Sequence, residues 1–313
     1  MADRGTLARV VKAVRELNPG RTANESIRQF TLALVGSSED EIASMRSFLL
    51  GPNPSPRDTA YSGRLIREYI QPLDDAQVRE ALKSDIVLIA EGAGAGFGYG
   101  ENIFTFDSIT PENTVSAIAG SEWGSENGLS LGRAFPAFRQ EVARRIQRDV
   151  SKENATFVIA TALGTLVPTP LQPLIGAAGA ASDTIVLTAN QVRMLFMIGA
   201  IYGENVGYAT QWKEISSIVG AAFGWRALAR SLVGMIPFGA GLAPKGAVAY
   251  AGTMAVGEGM IFYYMTGRQM TREEVTQAFK KFYSDAGETV RSLVDRFRSG
   301  TSGVGGNKGL GSG

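Results

Sequence analysis

The chain lacks histidine and cysteine altogether. These absences exclude Ser-His-Asp and Cys-His catalytic groups, His or Cys metal sites, iron–sulfur clusters and disulfides. An enzyme built from this sequence would depend on carboxylates, lysine, hydroxyl groups or a bound cofactor. Charge is also scarce, because only 19% of the 313 residues are charged, against about 25% in an average soluble domain. The net charge of +1 gives no electrostatic reason to expect nucleic-acid binding.

Long stretches of the second half carry almost no charge. Residues 154–182 are uncharged throughout, which exceeds the roughly 20 residues needed to span a bilayer. Because prolines at 168, 170 and 173 interrupt this stretch, it predicts a helix, a bend and a second helix over 174–202. A second pair is predicted over 210–235 and 246–266. Residues 134–298 are therefore predicted to form an α-helical, membrane-associated domain, an apolar bundle of Pro/Gly-interrupted helical hairpins.

The first half alternates between strand and helix patterns, which predicts a small Rossmann-like α/β domain over 28–120. Apolar runs at 30–36, 85–91 and 102–107 predict strands, with a weaker strand at 65–70. Ser38 and Glu41 form a capping-box pattern for the helix that follows, and another short helix is predicted to start near Asp74. Thr110 followed by Pro111 predicts a further helix start. The fold class is thus α/β plus α.

The remaining segments are assigned by composition and spacing. In residues 1–27, Leu7, Val10 and Val14 lie at helical spacing among basic residues. Such a helix either lies on an anionic membrane or packs on its own domain. The Gly-rich residues 121–133 predict a linker, and the Gly/Ser-rich residues 299–313 predict a disordered tail. A capping box at Thr271 and Glu274 predicts the start of the last amphipathic helix.

Two glycine-containing turns stand where nucleotide loops are found. Gly36 ends a strand at the position of a P-loop, but the segment has no lysine and no second glycine. Residues 39–41 are all acidic and would repel a triphosphate. Residues 92–100 resemble a dinucleotide turn, yet Phe97 replaces the third glycine and a strand follows instead of a helix. A loop at the sheet edge is the favoured interpretation, and no cofactor-binding residue is predicted.

Three charged residues stand inside apolar helical stretches: Asp183, Arg193 and Glu258. In lipid, ionisable residues are costly and mark functional positions that face each other or a cavity. In a bundle surrounded by water, they are helix ends or exposed positions. Both interpretations remain open, and the sequence shows no complete catalytic or metal-ligating set.

Over about residues 150–270, five segments resemble the bacterial domain of unknown function 697 in their residues, order and spacing. They are residues 167–170, 182–194, 201–203, 236–241 and 250–257. That domain occurs in inner-membrane proteins and appended to GTPase domains. The resemblance implies a helical, membrane-associated region, and it supplies no catalytic residues. It also implies that the first half is a degenerate GTPase-like domain, because the Gly-Lys-Ser, Asp-x-x-Gly and Asn-Lys-x-Asp motifs are missing.

The sequence favours a non-catalytic interaction or scaffold protein in the bacterial cytoplasmic membrane. The basic residues between Arg139 and Lys152 would place the N-terminal domain in the cytoplasm. The expected partners are membrane lipid, an unknown protein and, through the small residues at 176–181 and 252–259, a second copy of the chain. Two alternatives stay open. One is a divergent NTPase, and the other is a small membrane conduit lined by Asp183 and Glu258.

Overall fold

A computed structural model describes residues 4–163, 183–218 and 242–302. It is a mixed α/β structure with a small four-stranded parallel sheet and mostly helices, which confirms the α/β plus α class in outline. Two compact units are present. The sheet unit comprises residues 19–145 and 197–206, and the helical unit comprises residues 1–18, 146–196 and those from 207 onward.

The described residues form four strands and a series of helices. In chain order they are α1 (Arg4–Arg15), α2 (Pro19–Ser26), β1 (Leu32–Gly36), α3 (Glu39–Leu50), α4 (Pro56–Ser62), β2 (Ile66–Ile70), α5 (Asp75–Ala81), β3 (Ile86–Ala90), β4 (Ile103–Phe106), α6 (Pro111–Gly120), α7 (Glu122–Ala134), α8 (Pro136–Ala162), α9 (Asp183–Ile201), α10 (Leu242–Thr266) and α11 (Arg272–Ser302). Residues 212–218 are also helical. The predicted helix pairs extend into residues 164–182 and 219–241, which lie outside the described residues.

The sheet confirms all four predicted strands. Its order is β2-β1-β3-β4, and every neighbouring pair is parallel. All residues of the central strands β1 and β3 are buried, which explains their unbroken apolar sequences. Strand β2, at one edge, buries only Ile66, and its exposed positions gave the weaker pattern.

Residues 121–133 are helical, so the predicted linker is wrong. Ser121 caps α7 by accepting a hydrogen bond from the amide of Gly124 at 3.0 Å, and Leu131 is fully buried. The glycines of this segment permit close packing between helices, whereas the composition alone predicts flexibility. The sheet unit accordingly extends past the predicted boundary at 120 and includes α7 and the first part of α8.

Three further helix boundaries differ from prediction. In the segment after α3, Ser55 and Pro56 start α4, a short helix that is absent from the predictions. Thr110 precedes α6 but does not cap it, since its hydroxyl donates to Asp107. This hydrogen bond and a second one, donated by the Thr110 backbone amide, lower the pKa of the Asp107 carboxyl. Helix α11 continues through 299–302, which were predicted to be disordered, and residues 303–313 lie outside the described part.

The N-terminal segment 1–27 contains two helices, α1 and α2, instead of one. Val10, Ala13 and Val14 on α1 are at most 6% exposed, so its apolar face packs on protein. The hydroxyl of Tyr208 donates to the carbonyl oxygens of Val14 and Leu17 at 2.6 and 2.5 Å, which holds the end of α1 within the helical unit. The structure therefore favours the packed helix over the membrane-surface helix.

The last helix starts with the predicted capping box. The amide of Thr271 donates to Glu274 at 2.7 Å, and the amide of Glu274 donates to the Thr271 hydroxyl at 3.2 Å. Arg268 donates to the same carboxylate at 2.8 Å. The Arg268 hydrogen bond, followed by the backbone bond from Thr271, lowers the pKa of Glu274 from 4.5 to about 2.

This pKa shift predicts a specific acid sensitivity. Because the folded pKa of Glu274 is depressed, its contribution to stability is present above pH 4.5 and is lost as pH falls through about 2. We expect thermal unfolding between pH 6 and 2 to show a shallower acid decline for Glu274→Gln than for the unmodified chain. Glu273→Gln, at the neighbouring exposed position, should leave the slope unchanged. Equal slopes in all three proteins would contradict the assignment.

Candidate functional site

The turn after β1 is occupied by a carboxylate of the chain itself. The amide of Ser37 donates to Oε2 of Glu41 at 2.7 Å, and the amide of Glu41 donates to the hydroxyl of Ser38 at 3.3 Å. In a P-loop, amides at this position would receive a phosphate. The Glu41 side chain takes that place here and stabilises the start of α3, as the acidic first turn predicted.

The glycine-rich turn joins β3 to β4, so a strand follows it as predicted. Gly92 and Gly96 have φ values of 86° and 85°, in the region that other residues rarely adopt. The amide group of Gln71, just after β2, donates to the carbonyl oxygens of Ala93 and Ala95 at 2.9 Å each. The turn is thus held by a side chain from the neighbouring connection.

The carboxyl edge of the sheet carries negative charge. In a parallel sheet of order β2-β1-β3-β4, the usual ligand crevice lies outside the carboxyl ends of β1 and β3. The five residues after each strand include no lysine or arginine, and they contain these acids: Glu39, Asp40, Glu41, Asp74, Asp75, Glu91 and Asp107. A nucleotide triphosphate would meet repulsion there and would find no lysine for its phosphates.

The helical unit contains a buried polar network that crosses three helices. Its centre is Asn154 of α8, which is 0% exposed. The Asn154 amide donates to the Thr253 hydroxyl of α10 at 2.9 Å, and Asn190 of α9 donates to the Asn154 oxygen at 2.7 Å. Thr253 also donates to the carbonyl oxygen of Ala249 at 2.9 Å and lies 3.4 Å from the Gln191 amide nitrogen. We call Asn154, Asn190, Gln191 and Thr253 the amide network.

Two of the three predicted charged positions face α8 near this network. Arg193 of α9 forms an ion pair with Glu153, whose side chains are 22% and 40% exposed. Glu258 of α10 lies 3.5 Å from the amide nitrogen of Gln147, which also donates to the carbonyl oxygen of Met254 at 2.6 Å. Arg193 and Glu258 therefore contact different residues of α8. The backbone of Asp183 begins α9, and its side chain lies outside the described residues.

The side chains of the amide network suit a structural role. Neutral amides and hydroxyls provide neither a strong base nor an activated nucleophile, and the part of the chain that the structure describes holds no cluster of carboxylates able to bind a metal ion. A buried network of this kind favours one register between helices, because any slip leaves polar groups without partners. Sequence reasoning missed it because uncharged amides do not stand out from an apolar stretch.

The sheet unit contains a second polar group, an arginine cluster formed by Arg57, Arg133 and Arg139. Arg133 donates to the carbonyl oxygen of Ala200 at 3.1 Å, and Arg57 donates to that of Gly203 at 3.1 Å. Burial lowers the pKa of Arg133, and the nearby Arg57 guanidinium lowers it further. Arg133 and Arg57 thus place positive charge beside carbonyl groups where α9 ends. Of these three residues, the sequence had singled out only Arg139, as part of a basic stretch.

No known protein family, curated protein or solved structure matches the chain. The resemblance of residues 150–270 to the domain of unknown function 697 therefore stays a prediction. The same holds for the GTPase-like origin of the first half.

Proposed function

We propose that the protein is a membrane-associated, non-catalytic interaction module. In this proposal, the apolar residues 164–182 and 219–241 contact the bilayer, and a degenerate Rossmann-like, GTPase-related domain lies on the cytoplasmic side. The observation that carries it is the place where these two segments meet the described helices. The first joins the end of α8 to the start of α9, and the second leads into the start of α10 at the same end of the helical unit.

The contacts between α8, α9 and α10 locate this end. Asn154 of α8 is bonded to Asn190, and the preceding Glu153 pairs with Arg193, so α9 runs antiparallel to α8. Ile159 packs in one cluster with Ala247 at the start of α10, whereas Gln147 bonds to Met254 further along, so α10 is also antiparallel to α8. The end of α8 and the starts of α9 and α10 therefore lie together.

The two segments that join this end are apolar. Residues 164–182 contain no charged residue, and residues 219–241 contain only Arg226 and Arg230. The second segment also carries Trp225 beside Arg226, a pair of residue types enriched at membrane interfaces. Thr161 and Ala162, which close α8, and the following Leu163 are exposed and uncharged, and Lys245 is an exposed charge in the first turn of α10.

The described helices themselves are occupied by protein contacts. Among them, one helix is long and apolar enough to cross a membrane, over Thr184–Ile201 of α9, and 83% of that stretch is buried inside the protein. A core helix of a bundle in water meets the same criteria. Helix α10 is covered by α11, whose outward residues are largely charged: Lys280, Lys281, Asp285, Glu288, Arg291 and Arg296. We therefore assign lipid contact to the two segments and place the rest of the bundle in water.

Three features support a binding role without catalysis. The amide network fixes the helices and offers no catalytic group. The turn after β1 is filled by Glu41, and the carboxyl edge of the sheet is acidic.

The basic residues of α8 before the apolar end, including Arg148 and Lys152, favour a cytoplasmic position for that helix. The expected partners are membrane lipid, an unidentified protein and a second copy of the chain.

Tryptophan fluorescence tests the lipid contact directly, because the chain has only three tryptophans, Trp123, Trp212 and Trp225. We expect the variant that retains only Trp225, with the other two replaced by phenylalanine, to shift its emission to shorter wavelength on vesicles of phosphatidylcholine and phosphatidylglycerol. Lipids brominated on their acyl chains should quench it strongly. The physical reason is that an indole at the interface leaves bulk water and approaches the acyl chains.

The matched control retains only Trp212, which is 60% exposed on the described helical unit. Its emission should change little, because the proposal leaves that surface in water. A Trp225 variant that is not quenched, or a full-length chain that fails to float with vesicles, would overturn the proposal.

A further inference from the structure

A cleft of about 180 Å³ opens in the helical unit, and no residue of the amide network lines it. It lies between α9, the helical residues 212–218, α10 and the start of α11. Its walls are mostly apolar and include Leu195, Ile218, Val256, Met260 and Met270. Since a cavity of roughly 150 Å³ accommodates benzene, this volume suits a ligand of that order of size.

One charged group faces this apolar space. Glu214 lines the cleft, and its Oε2 atom is buried without a hydrogen-bond partner. At one of the lining residues, the Tyr264 hydroxyl accepts a hydrogen bond from the amide of Gln211 at 2.9 Å. A buried carboxylate oxygen without a partner destabilises a protein, whereas a cationic donor would satisfy it. The unpaired oxygen therefore indicates a ligand that brings positive charge.

Two aromatic rings add to this preference. Tyr263 and Tyr264 both line the cleft, with ring centroids 5.4 Å apart in an edge-to-face arrangement. Ring faces attract cations, especially where water is excluded. An anionic ligand would be repelled by Glu214, and a neutral ligand would donate at most an uncharged, weaker hydrogen bond to its oxygen. Of the three charge classes, a cation fits best.

We propose that this cleft binds a small primary amine on a hydrocarbon stem, with the ammonium group donating to Oε2 of Glu214. The stem packs against Leu195, Ile218 and Met260. The inference is independent of the membrane proposal, because it uses only residues of the described helical unit.

The test compares three probes of equal length on the full-length chain: hexylamine, hexanol and hexanoate, measured by titration calorimetry at pH 7. A charge-assisted hydrogen bond at a buried site favours its ligand about ten- to a hundredfold. We expect hexylamine to bind more tightly than hexanol by that factor, and hexanoate to bind more weakly than either.

Glu214→Gln should remove this preference and leave hexanol binding unchanged, because the glutamine keeps the shape of the site without its charge. Glu288→Gln, at an exposed position of α11, is the matched control and should retain the preference. A thermal melt of each variant checks folding, and Glu214→Gln should melt no lower than the unmodified chain. Equal binding of amine and alcohol, no binding of the amine, or an unchanged preference in Glu214→Gln would each overturn the proposal.

Discussion

Replacing Asn154 by leucine is expected to destabilise the helical unit by about 3 kcal/mol, because it leaves the buried Asn190 amide without its acceptor, at roughly 1–3 kcal/mol, and removes one hydrogen bond of Thr253, at roughly 0.5–1.5 kcal/mol. The Asn190 amide loses its acceptor at 2.7 Å, and the Thr253 hydroxyl loses its donor at 2.9 Å. Leucine is close to asparagine in size, so the loss reports on hydrogen bonding more than on a cavity. Denaturant unfolding followed by the fluorescence of Trp212 measures it.

A combined variant separates a polar network from a packing defect. Asn154→Leu together with Asn190→Leu and Thr253→Val removes the central polar groups at once and should recover most of the lost stability. Gln140→Leu, at an exposed position of the same helix, should change stability by less than about 0.5 kcal/mol. If Asn154→Leu alone were as harmless as Gln140→Leu, the amide network would have no role in holding the three helices together.

The sheet was predictable because burial on both faces leaves a clear trace in the sequence. Strands β1 and β3 have no residue exposed, so each is a continuous apolar run bounded by polar residues. Their order is not written in any such pattern, because it depends on where each connection crosses the sheet. The contact of Glu41 with the turn at Gly36 agrees with the acidic residues 39–41, since charge can be read from the sequence alone.

The amide network shows what sequence reading misses. Asn154 and Thr253 are 99 positions apart, and nothing local marks them as partners. Arg193 and Glu258 were noticed because charge is rare in their surroundings, yet each contacts a residue of α8 that had not been singled out. An asparagine in an apolar helix indicates a buried polar contact as a charged residue does, because burying an amide also requires a partner.

The largest difference between the predicted and the observed fold lies in a glycine-rich segment, α7. The composition of residues 121–133 predicts a linker, because glycine and serine favour flexible connections. Glycine also removes a side chain where two backbones approach closely, and a single sequence does not separate these two uses. In α7 the glycines allow close approach of backbones, and a substitution at one of them distinguishes this role from flexibility.

Gly124→Ala is expected to destabilise the sheet unit by about 2 kcal/mol. A methyl group added at Gly124 would overlap the carbonyl oxygen of Ile118, and it would lie 2.9 Å from the carbonyl carbon and 3.0 Å from Cα of Ala119. These are backbone atoms of α6 and cannot rotate away, so the helices must separate, at a cost of about 1–3 kcal/mol or more. The higher helix propensity of alanine offsets up to about 1 kcal/mol of that cost.

Gly120→Ala is the matched control, because Gly120 ends α6, is exposed and has its nearest neighbour atom, on Arg145, at 3.9 Å. There the same substitution should be neutral or stabilise the unit by up to about 1 kcal/mol. Denaturant unfolding followed by circular dichroism compares the two variants. If residues 121–133 were a flexible linker, both substitutions would be equally harmless. A difference between them of 2 kcal/mol or more in the expected direction requires α7 to be packed against α6, as the contacts of Gly124 indicate.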